Sequence, residues 1–573
     1  MGRQRNKDMV QLSSQIRGER SSIFDLARGR LSILGTFFIV IYVIIAARVV
    51  DLSAVQGTLL QIKEANAVQI QKDDVPMRAD IFDRNGVLLA TSLKSKSLFV
   101  DATVIEDPEG VLDQLNQIIP GLPQEKTLKA LSGKKRFDWI ARDLTPDQQA
   151  KVLMMGEPAL GFQDESRRVY PQGHLAAHMI GYTDVDGAGL SGLERSFDEL
   201  LGQGSTPLET TLDIRLQHAM NKELAATIEE FQAKSATGII LNVKTGDVLA
   251  GGSLPYYNSN NIASANDEQK FNRMTLGVYE LGSIFKIFST AALINEGAKM
   301  GQEFDARKPL KQGRFSIRDY HAEKRVMNVP EVFIHSSNIG SALMGQALGT
   351  QKLKSYYKNL GLLDKPEFCI SEVGKPLIPG TWREINTLTA SYGHGIAVSP
   401  LQLAAAVAAS VGDGTYKSPR LVKESGQEPV VRRVFDANTV HKMRQLLRLN
   451  GVEGTGKKAL VEGYEIGGKT GTAEKPKPTG GYDNDKKISS FVSVFPAHDP
   501  EYIVLVVVDE PIGHDGTYGY ATGGWVAAPT AKRIVERMVR ILGIKPYSKE
   551  EDTEFVEPLL KYIERDDKLA RAN

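Results

Sequence analysis

The 573-residue chain has one cysteine, Cys369, so it holds neither an intramolecular disulfide nor a multi-cysteine zinc site. It has no surplus of either charge: 70 Lys and Arg against 69 Asp and Glu leave a formal net charge of +1. A nucleic-acid surface needs a clustered basic excess and finds no support in that balance. Internal repeats and low-complexity stretches are absent as well. With 42% hydrophobic and 24% charged residues, the chain is neither wholly disordered nor collagen-like. Its length allows three or four domains at about 150 residues each, and a sizeable core. A single cysteine cannot fix the redox compartment, so topology must.

Long hydrophobic runs are also scarce, with one exception. From Leu31 to Ala47 no residue is charged, and Phe37 to Ile45 is dense in large apolar side chains. At about 1.5 Å per residue this run reaches the lower limit for crossing a bilayer core. Residues 1–30 carry seven basic side chains against three acidic ones. That bias predicts a basic cytoplasmic tail over 1–30, a single-pass signal anchor over 31–50 in the inner membrane, and a periplasmic remainder. A cleaved signal peptide would have a shorter apolar core and a small-residue cleavage site, and neither is present. A buried core helix is the other rival, and the apolar density argues against it.

Residues 51–75 read as a polar helix leaving the membrane. Residues 51–225 as a whole read as a mixed module, with a strand, an Asn85-Gly86 turn and a second strand over Arg78–Ala90. Residues 226–545 read as a second module. It has a strand pair over Thr237–Ser253, helices over roughly 275–450, three strands (Lys469–Glu474, Ser489–Pro496, Tyr502–Pro511) and a helix from about Val526 to Leu542. Strands at both ends with helices between them predict an α+β domain with an antiparallel sheet flanked by helices. Residues 546–573 are charged and read as a loose tail.

Three short patterns carry chemistry. In Gly282-Ser283-Ile284-Phe285-Lys286, Ser283 and Lys286 share a helix face. A serine hydroxyl needs a neighbouring base, and a lysine serves if burial or nearby positive charge lowers its pKa. In Ser336-Ser337-Asn338 a hydroxyl and an amide can relay a proton and grip a peptide carbonyl; the competing explanation is a helix N-cap. In Lys469-Thr470-Gly471-Thr472, a lysine and two hydroxyls suit a carboxylate, and glycine lets a substrate backbone approach a strand edge; the competing explanation is a turn. Singly, each is weak. Other patterns recede. Gly451-x-x-x-x-Gly456-Lys457 looks like a phosphate loop but has lysine at 458 where Ser or Thr must reach magnesium. His174 and His178 lack the glutamate of a zinc-binding H-E-x-x-H helix, and Cys369 reads as a small core residue. Gly513–Gly524 is a glycine-rich loop that either gates the site or is solvent-facing slack.

Together, S-x-x-K, then S-x-N 53 residues on, then K-T-G 133 residues further, have the order and spacing of the penicillin-recognising serine enzymes. Arg78–Ala90, Tyr170-Pro171-x-Gly173, His178-x-x-Gly181, Gly189-x-x-Gly192-Leu193-Glu194, Gly246-x-Val248-Leu249-Ala250 and Ser391-Tyr392-Gly393-His394-Gly395 resemble further blocks of the class B penicillin-binding proteins. The resemblance covers roughly residues 30–545. Anchor, compact pedestal, length and the lack of a C-terminal repeat module resemble the division-specific (septal) members. Leu281 stands where the family usually has proline and Ile284 where threonine is common, and neither position supplies a catalytic group.

The resemblance implies a pedestal, or dimerisation-type, module followed by a transpeptidase domain. It implies acyl transfer between peptidoglycan stem peptides. Ser283 attacks the D-alanyl-D-alanine carbonyl and Lys286 takes its proton. Ser336 and Lys469 pass a proton to the departing D-alanine, and Asn338 orients the acyl chain. Thr470, Gly471 and Thr472 bind the substrate, or a β-lactam, at its carboxylate. No metal or organic cofactor is implied. The implied partners are a membrane glycan-strand polymerase and other division proteins. An elongation-specific transpeptidase, a D,D-carboxypeptidase or β-lactamase, and a non-catalytic β-lactam sensor or scaffold remain open alternatives at this point.

Overall fold

The structure, a computed structural model, describes residues 5–50, 77–313, 315–423, 429–477, 480–547 and 549–563. The chain divides into two units, Met1–Asp74 and Val75–Asn573. Among its described residues the first holds one helix, α1 (Arg5–Val50). Its stretch Arg28–Val50 is 23 residues long and apolar enough to cross a membrane by length and composition. At 1.5 Å per residue it measures about 35 Å, against about 30 Å of bilayer hydrocarbon. The basic segment expected as a separate tail continues the same helix from Arg5. The polar helix expected over 51–75 lies outside the described residues.

The second unit is α+β. Its N-terminal part is a sheet of β1 (Ile81–Phe82), β2 (Leu88–Val100), β3 (Asp138–Leu144), β4 (Leu160–Val169) and β5 (Leu208–Glu209), in which β2 pairs with β1, β3 and β4. The turn between β1 and β2 has a local cause. The Asp83 carboxylate accepts from the N–H of Asn85 (2.7 Å) and Val87 (2.8 Å), and Gly86 takes φ +81°. Asp83 also accepts from Ile214 N–H at 3.1 Å, which joins this turn to the first turn of α2 (Ile214–Glu230). Two of the quoted sequence blocks meet Arg168 of β4 at one buried carboxylate: Glu194 lies between Arg78 Nε (2.5 Å) and Arg168 Nε (2.8 Å). Removing one partner of such a group costs about 3–5 kcal/mol, because a buried charge is left uncompensated.

After α2 come β6 (Ser235–Asn242) and β7 (Val248–Leu254), the helices α3 (Lys286–Asn295), α4 (Asn338–Leu348), α5 (Pro400–Val411) and α6 (Ala437–Val452), and then β8 (Gly467–Pro476), β9 (Tyr482–Phe495) and β10 (Tyr502–Asp509). The strands form one antiparallel sheet in the order β8-β9-β10-β6-β7. The unbroken apolar run of β10 follows from cover on both faces. Val504, Val506 and Val508 pack with Leu216, Met220 and Leu224 of α2 and with Ile534 and Met538 of α7 (Ala527–Leu542). Ile503, Leu505 and Val507 join the larger cluster with Phe288 of α3, Leu401 of α5 and Leu446 of α6. That same cluster takes in Ile81, Leu89, Met179 and Leu193, so the two modules read from sequence share one core.

The loose tail expected after 546 is corrected. Residues Lys549–Leu560 form a helix, α8, with Val556 and Leu559 buried, and Gln445 Nε2 of α6 donates to Phe555 O at 2.9 Å. Two apolar side chains spaced i, i+3 are enough to dock a segment whose other residues are charged.

Candidate active site

Ser283 sits in a 3-10 turn, Gly282–Phe285, that runs straight into α3. Gly282 takes φ +55°, and an added Cβ would come 2.7 Å from Thr472 O, so the turn lies directly on β8. Phe285 and Phe288 pack edge-on to each other and to Tyr357, which fixes the start of α3 in the core. Lys286, the first residue of α3, is fully buried.

The second element opens on an unusual backbone. Ser336 has φ +55°, a left-handed conformation that costs a non-glycine residue about 1–3 kcal/mol and needs its surroundings to hold it. The N-cap explanation applies to its neighbour: Ser337 Oγ accepts from Gly340 N at 2.9 Å and caps α4. The Ser336 hydroxyl is thereby left for the two lysines. A residue that sequence reading missed fixes this corner. The Asp319 carboxylate accepts from Asn338 N (2.5 Å), Ile339 N (2.9 Å) and Ser337 Oγ (2.8 Å), at the positive end of α4. No pattern around Asp319 announces that role, because its partners lie 18 to 20 positions away.

The third element is an edge strand. Among the described residues β8 pairs with β9 alone, so its other edge is open beside Ser283. Lys469 is fully buried, and its Nζ donates to Ser336 Oγ at 2.9 Å. Lys286 Nζ lies 3.1 Å from the same Oγ and donates to Asn338 Oδ1 (2.8 Å) and to Ser336 O. Four of the residues picked from sequence thus form one hydrogen-bonded chain, Asn338–Lys286–Ser336–Lys469. Burial pushes the Lys469 ammonium down to about 7. Lys286 is held well below the ordinary lysine range, first by burial and then by the Lys469 charge, while the Asp319 carboxylate pulls the other way. A neutral amine has two N–H groups and one lone pair. With the carbonyl of Ser336 and the amide oxygen of Asn338 taking the hydrogens, the lone pair is free for a hydroxyl proton.

Above the lysines is a cavity of about 690 Å³ lined by Ser283, Ser336, Asn338, Thr470 and Thr472. Gly471 does not line it. Its missing side chain is accounted for by packing, since an added Cβ would collide with Leu281 O and Ser490 Oγ behind the strand. The expectation that this glycine admits a substrate backbone is therefore replaced by close contact between strand and serine turn. Lys458 and Thr455, from the segment that mimics a phosphate loop, also line the cavity. They follow the C-terminus of α6, and the segment opens only a three-residue 3-10 turn, Lys457–Ala459, in place of the α-helix whose N-terminus cradles a phosphate. Thr455 Oγ1 hydrogen-bonds Thr470 Oγ1 at 2.8 Å, and Lys458 Nζ sits 3.4 Å from the centre of the Trp525 ring. Tyr520, Thr522 and Gly524 place the end of the glycine-rich loop on the cavity wall.

The remaining decoys have structural work. His178 is buried against Gln269 O (2.7 Å) and is pushed down to about 4 by burial. His174 stacks on Tyr256, with 4.2 Å between ring centres. Cys369 packs beside the main core, and burial pushes its thiol up to about 12.

Comparison with known proteins agrees with this geometry. Residues 236–536 match the family model described as the penicillin-binding protein transpeptidase domain, and residues 73–222 match the penicillin-binding protein dimerisation domain. A Caulobacter vibrioides protein named "Probable peptidoglycan D,D-transpeptidase FtsI" is 40% identical over 82% of this chain and 82% of its own length. The Escherichia coli "Peptidoglycan D,D-transpeptidase FtsI" is 30% identical over 87% of this chain and 89% of its own. A crystal structure of a peptidoglycan synthetase from Bifidobacterium adolescentis shares the fold, with a TM-score of 0.65 at 18% identity over 83% of this chain and 97% of that one. With its transpeptidase domain built on a dimerisation-type pedestal, the chain belongs to the class B penicillin-binding proteins.

Proposed function

We propose that this chain is a membrane-anchored serine D,D-transpeptidase that cross-links peptidoglycan stem peptides during cell division and is acylated by β-lactams. The observation that carries the reading is the chain Lys286–Ser336–Lys469 beneath Ser283. Ser283 Oγ attacks the carbonyl of the D-alanyl-D-alanine bond while Lys286 takes its proton. Backbone N–H groups of Ser283 and Thr472 hold the developing oxyanion. The C–N bond breaks, and Lys469, through Ser336, supplies a proton to the departing D-alanine. Thr470 and Thr472 hold the terminal carboxylate, and Asn338 orients the acyl chain. An amine of a second stem peptide then forms the new amide, and the proton returns to Ser283 Oγ.

Arg28–Val50 serves as the anchor, and the basic excess before it keeps the N-terminus cytoplasmic and the catalytic domain periplasmic. A glycan-strand polymerase and other division proteins are the partners that this placement and the FtsI relatives suggest. Labelled penicillin should acylate the protein and fail on Ser283→Ala; a labelled Ser283→Ala protein would remove Ser283 from the role of nucleophile. Depletion should give filamentous cells, whereas rounded cells would assign the protein to elongation. Hydrolysis that outpaces transfer to an added D-amino acid would mark a hydrolase instead.

A further inference from the structure

The cavity is electrically two-ended. At one end Lys457 and Lys458 stand beside Thr455 and Thr470. At the other is Glu280, three residues before Ser283, whose side chain is 13% exposed. Its Oε1 accepts from Tyr482 OH at 2.9 Å, and its Oε2 lies 3.5 Å from His394 Nδ1. The His394 ring lies over Tyr482, 4.7 Å between centres. Burial and then the Glu280 charge push the Tyr482 phenol up, so it remains a donor. Among the described residues no lysine or arginine pairs with Glu280. A mostly buried carboxylate held only by a phenol and a histidine ring is costly, and a cavity wall is where an incoming ammonium would relieve it. Glu474 lines the same end, with Lys487 as its cross-strand neighbour.

We propose that Glu280, with Tyr482 and Glu474 beside it, is a specificity subsite for a primary ammonium carried by the donor stem peptide upstream of its two D-alanines. This rests on the transpeptidase reading above. A peptide whose carboxylate is held at Thr470 and Thr472 can stay on the open edge of β8 only by running antiparallel to it. Its upstream residues then pass Glu474 and approach the tip of the β8–β9 hairpin, where Tyr482 pairs with Pro476. From Thr470 to Pro476 is about 20 Å at 3.3 Å per residue, room for several donor residues. Donor and acceptor are copies of one stem peptide, so the amine that serves the acceptor as nucleophile is also present on the donor.

The test compares two donors on the full chain in detergent. One is acetyl-lysyl-D-alanyl-D-alanine with a free side-chain amine, and the other is its Nε-acetyl form. The measurement is D-alanine release. The wild type should favour the free amine by about tenfold in kcat/KM, the worth of one charge-assisted contact. Glu280→Gln should reduce that preference to below about twofold, through the free-amine donor alone. Its melting temperature, read beside that of the wild type, reports whether the fold is intact. Equal handling of both donors by the wild type, or an equal loss for both in Glu280→Gln, would overturn the subsite. So would a preference expressed only in the choice of acceptor amine. Absence of D-alanine release from either donor together with absence of penicillin labelling would overturn the transpeptidase reading and the subsite with it.

Discussion

Lys469 Nζ and Ser336 Oγ meet at 2.9 Å, although 133 positions separate them in the chain, and the same hydroxyl lies 3.1 Å from Lys286 Nζ. One serine in a left-handed conformation thus sits between two buried amines. Two positive charges that close, both out of water, disfavour each other, so at least one amine gives up its proton near neutral pH. The pair is coupled, and its protons belong to the site as a whole. A lone serine is a weak nucleophile; a turn that carries Ser283 three residues before a buried amine of depressed proton affinity has a base within it.

Lys469 ties catalysis and stability to pH. With Lys469 as proton donor, β-lactam acylation should fall as pH rises above about 7, where burial places its loss of charge. Stability should move the opposite way. A lysine whose folded value lies below its unfolded value near 10.5 leaves the extra proton on the unfolded chain between about 7 and 10.5. Unfolding free energy therefore rises with pH across that window, by up to about 1.4 kcal/mol per pH unit. Melting Lys469→Met beside the wild type from pH 7 to 10 should show a smaller rise in the variant; parallel curves would mean that Lys469 keeps its proton in the folded state as in the unfolded one.

Asp319 does two jobs that can be separated. Asp319→Ala removes three accepted hydrogen bonds at the start of α4 and should cost about 1–2 kcal/mol, the scale of a lost cap. Asp319→Asn keeps an acceptor but loses the charge that holds Lys286 up. The rising limb of the acylation rate against pH should then shift to lower pH in Asp319→Asn. A limb that stays in place would show that Asp319 acts by position alone.

Gly471→Ala tests the contact between strand and serine turn. Its Cβ would press on Leu281 O, two residues before Ser283, and on Ser490 Oγ. Overpacking of this kind costs about 1–3 kcal/mol. The displacement is directed at the nucleophile, so penicillin acylation should slow by at least about tenfold, the weight that misplacing a reacting group carries. Wild-type rates in this variant would show that the contact between strand and serine turn does not position Ser283.

Deletion of residues 549–573 tests the docked C-terminal helix. It exposes the sites of Val556 and Leu559, worth about 1.5–3 kcal/mol for each fully buried side chain. It also removes Tyr562 O, to which Asn328 Nδ2 donates at 2.6 Å. Asn328 caps the helix Val329–Ile334 that leads into Ser336. The truncated protein should melt at lower temperature and acylate a few-fold more slowly. An unchanged melt would restore the reading of this segment as a tail.

The sequence by itself determined what depends on neighbours in the chain. The apolar run before Ala47, the Asp83–Gly86 turn, the strand pairs and the helix after Val526 follow from composition, turn chemistry and periodicity, all short-range. The three motifs were legible because their residue types and spacing are rare in combination, and Ser283, Lys286, Ser336, Asn338 and Lys469 do gather around one cavity. The tertiary structure decided everything that depends on which distant residues become neighbours. It buried both lysines and so lowered their proton affinity. It gave the cap to Ser337 and freed Ser336, brought Asp319 under α4, and turned Gly471 from a substrate-facing gap into a packing necessity. It docked residues Lys549–Leu560 through two apolar side chains that a charged composition conceals. Burial and desolvation belong to the folded surroundings of a residue, and no local pattern in the chain encodes them.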